Sequence, residues 1–155
     1  MCGIVGLLAR TPDLRQQLGR HMTPMFTCMA ARGPDSGGMA VYTDPLAGQQ
    51  RRFSLFGNDR HLDWGQFRDS FQTHFGDQGG DDSSLEATEN HARLISSVEP
   101  DGLRTWLSQS HPSLYLLSVG RSMDVYKDEG APVEIAQRFQ FDTLTGSHCV
   151  GHTRM

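Results

Sequence analysis

No stretch of this sequence stays apolar for anything near the ~18 residues of a membrane-spanning helix, so a helical membrane protein is excluded. The N-terminus has no basic region followed by a long apolar core, and no secretion signal is read there. Cysteine is scarce. Cys2, Cys28 and Cys149 cannot all pair with one another, and without an export signal reduced thiols in a cytoplasmic protein are the simplest reading. Basic clusters are absent too. The 14 Lys and Arg residues are scattered, Arg51-Arg52 is the only adjacent pair and the net charge is −4, which argues against nucleic acid or an anionic membrane as partner. Hydrophobic residues make up only 37% of the chain and glycines number 17, which at 155 residues fits one loop-rich domain with a modest core, or an incomplete domain. No internal repeat or low-complexity segment is visible.

What is present begins at the N-terminus, Met1-Cys2-Gly3-Ile4-Val5-Gly6. Cysteine is small enough for a preceding initiator methionine to be trimmed off. Trimming leaves Cys2 with a thiol nucleophile and a free α-amine on one residue. Their reference pKa values, about 8.5 and about 8, lie close enough for the amine to take the thiol proton.

Residues 2–8 read as a short buried strand, with Gly3 and Gly6 permitting close backbone approach. Thr11-Pro12-Asp13 is a helix start, with hydroxyl, proline and acid in the expected order. Leu14, Leu18, Met22, Met25, Phe26 and Met29 continue at helical spacing, and Thr23-Pro24 predicts a kink or a second helix. Cys28 in this stretch reads as a packed thiol. Arg32-Gly33-Pro34-Asp35-Ser36-Gly37-Gly38 stops the helix, with Gly33 suited to a left-handed cap. Residues 39–43 and 51–57 alternate as strands and suggest a hairpin. Beyond them, a helix over 62–75, short strands at 85–88 and 91–97, a helix over 101–109 and a strand over 114–119 follow. Counted from the strand at 51–57, the order is β-α-β-β-α-β, that of a split βαβ, ferredoxin-like unit. A strand at 123–127, a helix from Ala131-Pro132 to about Phe139 and a strand from Ser147 complete the reading.

Three separated stretches now combine. Met1 to Gly6, Arg32 to Gly38 and Gly151-His152-Thr153-Arg154 resemble, in that order, the motifs of class II glutamine amidotransferases, which are N-terminal-nucleophile hydrolases. Gly120-Arg121-Ser122-Met123-Asp124-Val125-Tyr126-Lys127-Asp128 and the helix before Phe139 resemble one subgroup more closely: the glutamate-synthase-like amidotransferase subunit of N-methylglutamate synthase. The resemblance spans the whole chain.

The resemblance implies an α+β fold: a partial αββα sandwich from 1–57 and 120–155, an incomplete amidotransferase domain, with an inserted βαββαβ segment over 58–119. It implies hydrolysis of L-glutamine to glutamate and ammonia through a thioester on Cys2, with ammonia passed to a synthase subunit. Arg154 corresponds to the arginine that clamps the substrate α-carboxylate, a task suited to a guanidinium fork. Met155 follows it and by position adds backbone contacts. Arg32 and Asp35 are placed in support of the nucleophile loop, and His152 and Thr153 in support of the glutamine site. No cofactor and no metal is implied. The family's Asn-Gly oxyanion donors and its amine-binding aspartate lie beyond the third motif, outside residues 1–155. One oxyanion donor is worth roughly 3–4 kcal/mol in the transition state, so the chain is expected to be a truncated fragment that folds poorly and lacks glutaminase activity alone.

Two rivals stand beside this reading. Cys149-Val150-Gly151-His152 has C-x-x-H spacing, but a structural zinc needs four ligands and no second pair follows. A regulatory or assembly module with a vestigial nucleophile is the other. His21, His61, His74, His91 and His111 read as solvated or packed.

Overall fold

A computed structural model describes residues 2–155, so Met1, whose removal the Cys2 chemistry requires, lies outside the described residues. In chain order the elements are β1 (Gly3–Leu8), α1 (Pro12–Gln16), α2 (Leu18–Thr27), a 3-10 turn (Cys28–Ala31), β2 (Ser36–Tyr42), β3 (Arg51–Gly57), α3 (Trp64–Phe75), β4 (Ser84–Thr88), β5 (His91–Ser96), α4 (Pro100–Ser110), β6 (Leu114–Gly120), β7 (Met123–Glu129), α5 (Pro132–Arg138) and β8 (His148–Arg154). The mixed α+β class expected from the sequence is what forms, around two antiparallel sheets. The chain divides into two compact units, one of residues up to Asp44 with Val125–Met155, the other Pro45–Asp124.

The first unit holds a sheet in the order β1-β8-β2-β7. Its odd-numbered positions on β1, β2 and β8 face the helices. Met39, Val41 and Cys149 are buried there, and Val5 and Leu7 pack against the same core. Leu18, Met22 and Phe26 of α2 and Ile135 and Ala136 of α5 complete it, with the Phe26 ring edge-on to Phe141 at 5.4 Å. Helix starts follow local chemistry as expected: Thr11 caps α1 by accepting from the Leu14 N–H, and proline occupies the first turn of α1, α4 and α5. The break predicted at Thr23-Pro24 falls instead at Gln17, and Pro24 lies inside α2. Docking explains the shift. The Gly19 N–H donates to the Leu144 carbonyl at 2.8 Å, and a Cβ at Gly19 would meet the Phe141 carbonyl oxygen at 2.0 Å. The second helix starts where it can lie against the 141–144 backbone.

Two further expectations are corrected here. β1 is buried on one face only: Ile4 is 72% exposed and Leu8 59%, and Val150 on β8 is 43% exposed on the same side. The suggested hairpin of 39–43 with 51–57 does not form. β2 pairs with β8 while β3 pairs with β5 and β6, so the two strands belong to different sheets.

The second unit has the expected β-α-β-β-α-β succession from β3 to β6, and its sheet runs β4-β5-β3-β6 with antiparallel neighbours. β3 lies inside this sheet, and the compact unit spans Pro45–Asp124. Its core is aromatic, with Phe53, Phe67, Phe71, Phe75 and Trp106 packed with Leu55, Leu94, Leu103 and Leu107. Asp63 caps α3 through the Gln66 N–H at 3.0 Å, and Glu89 takes a left-handed φ of 51° in the two-residue turn between β4 and β5. Asp124 is buried and shared between Arg52 at 3.0 Å and Arg93 at 3.4 Å. Where the chain enters and leaves the unit, the Leu46 N–H donates to the Arg121 carbonyl at 2.9 Å, and the Arg121 guanidinium donates to the Leu46 carbonyl.

Candidate active site

Strand pairing decides where the motif residues meet. Gly3 on β1 and Gly37 on β2 both lie opposite Thr153 on the central strand β8. β1 begins at Gly3; extending its register one residue beyond the strand sets Cys2 opposite Arg154, and Ser36 pairs with Arg154 on the other side. Directly opposed residues of an antiparallel pair share a face. Cys2 of the nucleophile motif, the second motif's turn and the last residue of the third motif therefore converge at one end of one sheet. Cys2 and Arg154 are both exposed there.

The turn over 33–35 is bonded into this sheet end. The Asp35 N–H donates to the Arg154 carbonyl at 3.1 Å, and the Gly130 N–H donates to the Asp35 carbonyl at 2.8 Å. Gly33 is required for a reason other than the expected left-handed cap. Its φ is not positive; instead a Cβ there would sit 2.5 Å from the Arg154 nitrogen. Only a residue without a side chain lets the turn lie so close to the arginine's backbone.

The remaining named residues divide by face. Thr153 is fully buried, and its hydroxyl donates to the Met29 carbonyl at 3.3 Å. His152 is exposed two positions before Arg154 and shares its face, and Met155 is 70% exposed just beyond it. Asp35 and Arg32 are exposed on the turn. Met29 was read from the sequence only as part of a helical apolar face. It also lies against the nucleophile strand from the 3-10 turn, with its sulfur 3.0 Å from the position of a Gly3 Cβ. Its long-range partner left no local signal in the sequence.

The zinc-like pair does not come together. Residues three apart on a strand face opposite sides: Cys149 is buried against the helices, whereas His152 is exposed. Burial pushes the Cys149 thiol up to about 11, which makes it unreactive at neutral pH. Cys28 is exposed, not packed as the sequence suggested, because the helix ends in a 3-10 turn at that residue.

Over its whole length the chain is similar to proteins named as glutamine amidotransferases. It is 30% identical over 156 residues to the "Glutamine amidotransferase-like protein GlxB" of Rhizobium meliloti, covering all of this chain and 50% of that protein. It is 28% identical over 165 residues to a "Putative glutamine amidotransferase" of Methanothermobacter thermautotrophicus, covering 99% of this chain and 52% of that protein. The chain thus spans about half the length of the curated relatives it matches. No family model matches it. These similarities support a glutamine amidotransferase family. Among the described residues, no helix is long and apolar enough to cross a membrane.

Proposed function

We propose that the protein is a class II glutamine amidotransferase in which Cys2, freed at its α-amine, is the nucleophile. The observation that carries this reading is the register that sets Cys2 opposite Arg154, with the 33–35 turn hydrogen-bonded to the same arginine. An arginine opposite a terminal thiol suits a substrate with a carboxylate at one end and a reacting amide at the other. The thiol attacks the glutamine side-chain amide, the α-amine relays the proton to the leaving ammonia, and water then hydrolyses the thioester to glutamate. Arg154 holds the α-carboxylate. Met155 adds backbone contacts, while Arg32, Asp35, His152 and Thr153 shape the site.

The sheet face carrying Ile4, Leu8 and Val150 is, on this reading, the inner face of an αββα sandwich. The 45–124 unit is a ferredoxin-like insertion. Ammonia passes to a synthase subunit, with N-methylglutamate synthesis as the closest analogy. The test is glutamine hydrolysis by a protein spanning the length of its relatives. Release of glutamate that is lost in Cys2→Ala supports the assignment. Equal release by both proteins sinks it.

A further inference from the structure

The buried ion pair of Asp128 and Arg138 has no part in the chemistry described above. Asp128 is the last residue but one of β7 with its side chain 4% exposed, and Arg138 in the last turn of α5 has its side chain 10% exposed. The guanidinium donates to one carboxylate oxygen, and the Glu129 N–H donates to the other at 2.8 Å. Two anchors thus fix the carboxylate, and with it the backbone leaving β7. The next residue is Gly130, in a left-handed conformation at φ 118°. Its N–H is aimed at the Asp35 carbonyl at 2.8 Å, and the Asp35 N–H is aimed at the Arg154 carbonyl at 3.1 Å. A continuous series of bonds therefore runs from the pair, through one turn, to the backbone of the arginine opposite Cys2.

We propose that Asp128 and Arg138 are positioning residues for the carboxylate clamp, acting through the Gly130–Asp35–Arg154 backbone hydrogen bonds. This rests on the amidotransferase reading. Fixing the Arg154 backbone fixes the direction in which its side chain leaves the strand, and a bidentate carboxylate pair tolerates little misdirection. Neutralising either member weakens the compensation of the other buried charge and lets it move towards water or towards its other contacts. Either movement displaces the turn that carries Gly130. Substrate binding should suffer, while the thiol and amine of Cys2 stay as they are.

The experiment uses a protein spanning the length of its relatives. Wild type, Asp128→Asn, Arg138→Gln and the double variant are compared in glutamine hydrolysis and in alkylation of Cys2 by iodoacetamide, which carries no α-carboxylate. Each single variant should raise KM for glutamine roughly 3- to 30-fold, with kcat within about twofold. Alkylation rates should be unchanged. The double variant, which removes both charges together and can keep an amide–amide bond, should recover most of the KM. A purely structural role would instead lower the melting temperature and kcat without a KM-specific effect, and that pattern overturns the proposal. Should the single variants fail to fold, amide exchange on the wild-type protein decides. Glutamate, the carboxylate-bearing product, should slow exchange of the Asp35 and Gly130 amides, and unchanged exchange under saturating glutamate rejects the coupling. A wild-type protein that neither hydrolyses nor binds glutamine defeats the amidotransferase reading itself, and the positioning role with it. Active wild type with unaltered KM in every variant defeats the positioning role alone.

Discussion

A methyl group at Gly33 would lie 2.5 Å from the Arg154 nitrogen, so Gly33→Ala must move either the turn or the strand. Overpacking of this kind costs about 1–3 kcal/mol. Denaturant titration should show that loss, together with a raised KM for glutamine in a protein spanning the length of its relatives. Wild-type stability and KM would mean that the approach is not maintained in solution. The three cysteines give a second test at this scale. Cys2 and Cys28 are exposed and Cys149 is buried, its thiol pushed up to about 11 by desolvation. Near pH 8, Cys149 in the folded protein should resist alkylation while the other two react. The sign of the pH effect follows. A folded-state pKa above the ordinary thiol value means that the folded state holds its proton longer than the unfolded chain. The contribution of Cys149 is complete below about pH 9 and is lost progressively towards 11. Cys149→Ala should flatten that alkaline slope; an unchanged slope contradicts the burial argument. The sequence pointed to Cys2 and Arg154 because their motifs are compact. It could not reveal why Gly33 is glycine, since the atom that forbids a side chain there is 121 residues away in the chain.

Elements were legible where their signals are local. The Thr11 cap and the prolines opening α1, α4 and α5 all sit within a few residues of what they determine. Pairing was not. Residues 39–43 and 51–57 each look like strands, but which sheet each joins depends on β8 and β6, far along the chain. α2 shows the same limit, since Pro24 looks like the break and Gly19 against Phe141 decides it. Phe26 is one of the fully buried anchors of α2. Its ring packs on Phe141 and beside Gly37 and Gly151, and Phe26→Ala should cost about 3–5 kcal/mol. α3 and α4 meet through Phe67, Phe71 and Trp106, with the His111 ring 4.6 Å from Trp106 and its Nε2 3.4 Å from the Ser70 hydroxyl. Desolvation lowers the His111 pKa. The folded state therefore binds fewer protons than the unfolded chain as pH falls below the ordinary imidazole value of about 6.5. Stability present above that pH should decline on acidification, and His111→Gln should remove part of the decline in a pH series of urea melts. A variant with the same acid slope as wild type counts against this.

At the scale of the molecule, each unit has its own sheet and its own core. The ends of the 45–124 unit are joined by the Leu46–Arg121 hydrogen bonds. A segment closed in this way is suited to fold by itself. The excised 45–124 segment should melt cooperatively, and since both tryptophans, Trp64 and Trp106, lie in it, fluorescence reports on that unit alone. A non-cooperative, sloping melt would show that it depends on the rest of the chain. The composition of the sequence suggested a modest core, and the structure gives two modest cores. The open face bearing Ile4, Leu8 and Val150 could not be read from β1, whose run of apolar residues looks like a strand buried on both sides.

The most direct test of the account is covalent labelling of Cys2. A protein spanning the length of its relatives is treated with an electrophilic glutamine analogue, and the modified peptide is located by mass spectrometry. The account predicts one adduct, on an N-terminal Cys2 lacking Met1. It should form faster than the adducts of electrophiles without an α-carboxylate, and slow to their rate in Arg154→Gln. A folded protein that takes no adduct on Cys2, or takes it at the same rate with Arg154 replaced, would contradict the pairing of nucleophile and clamp.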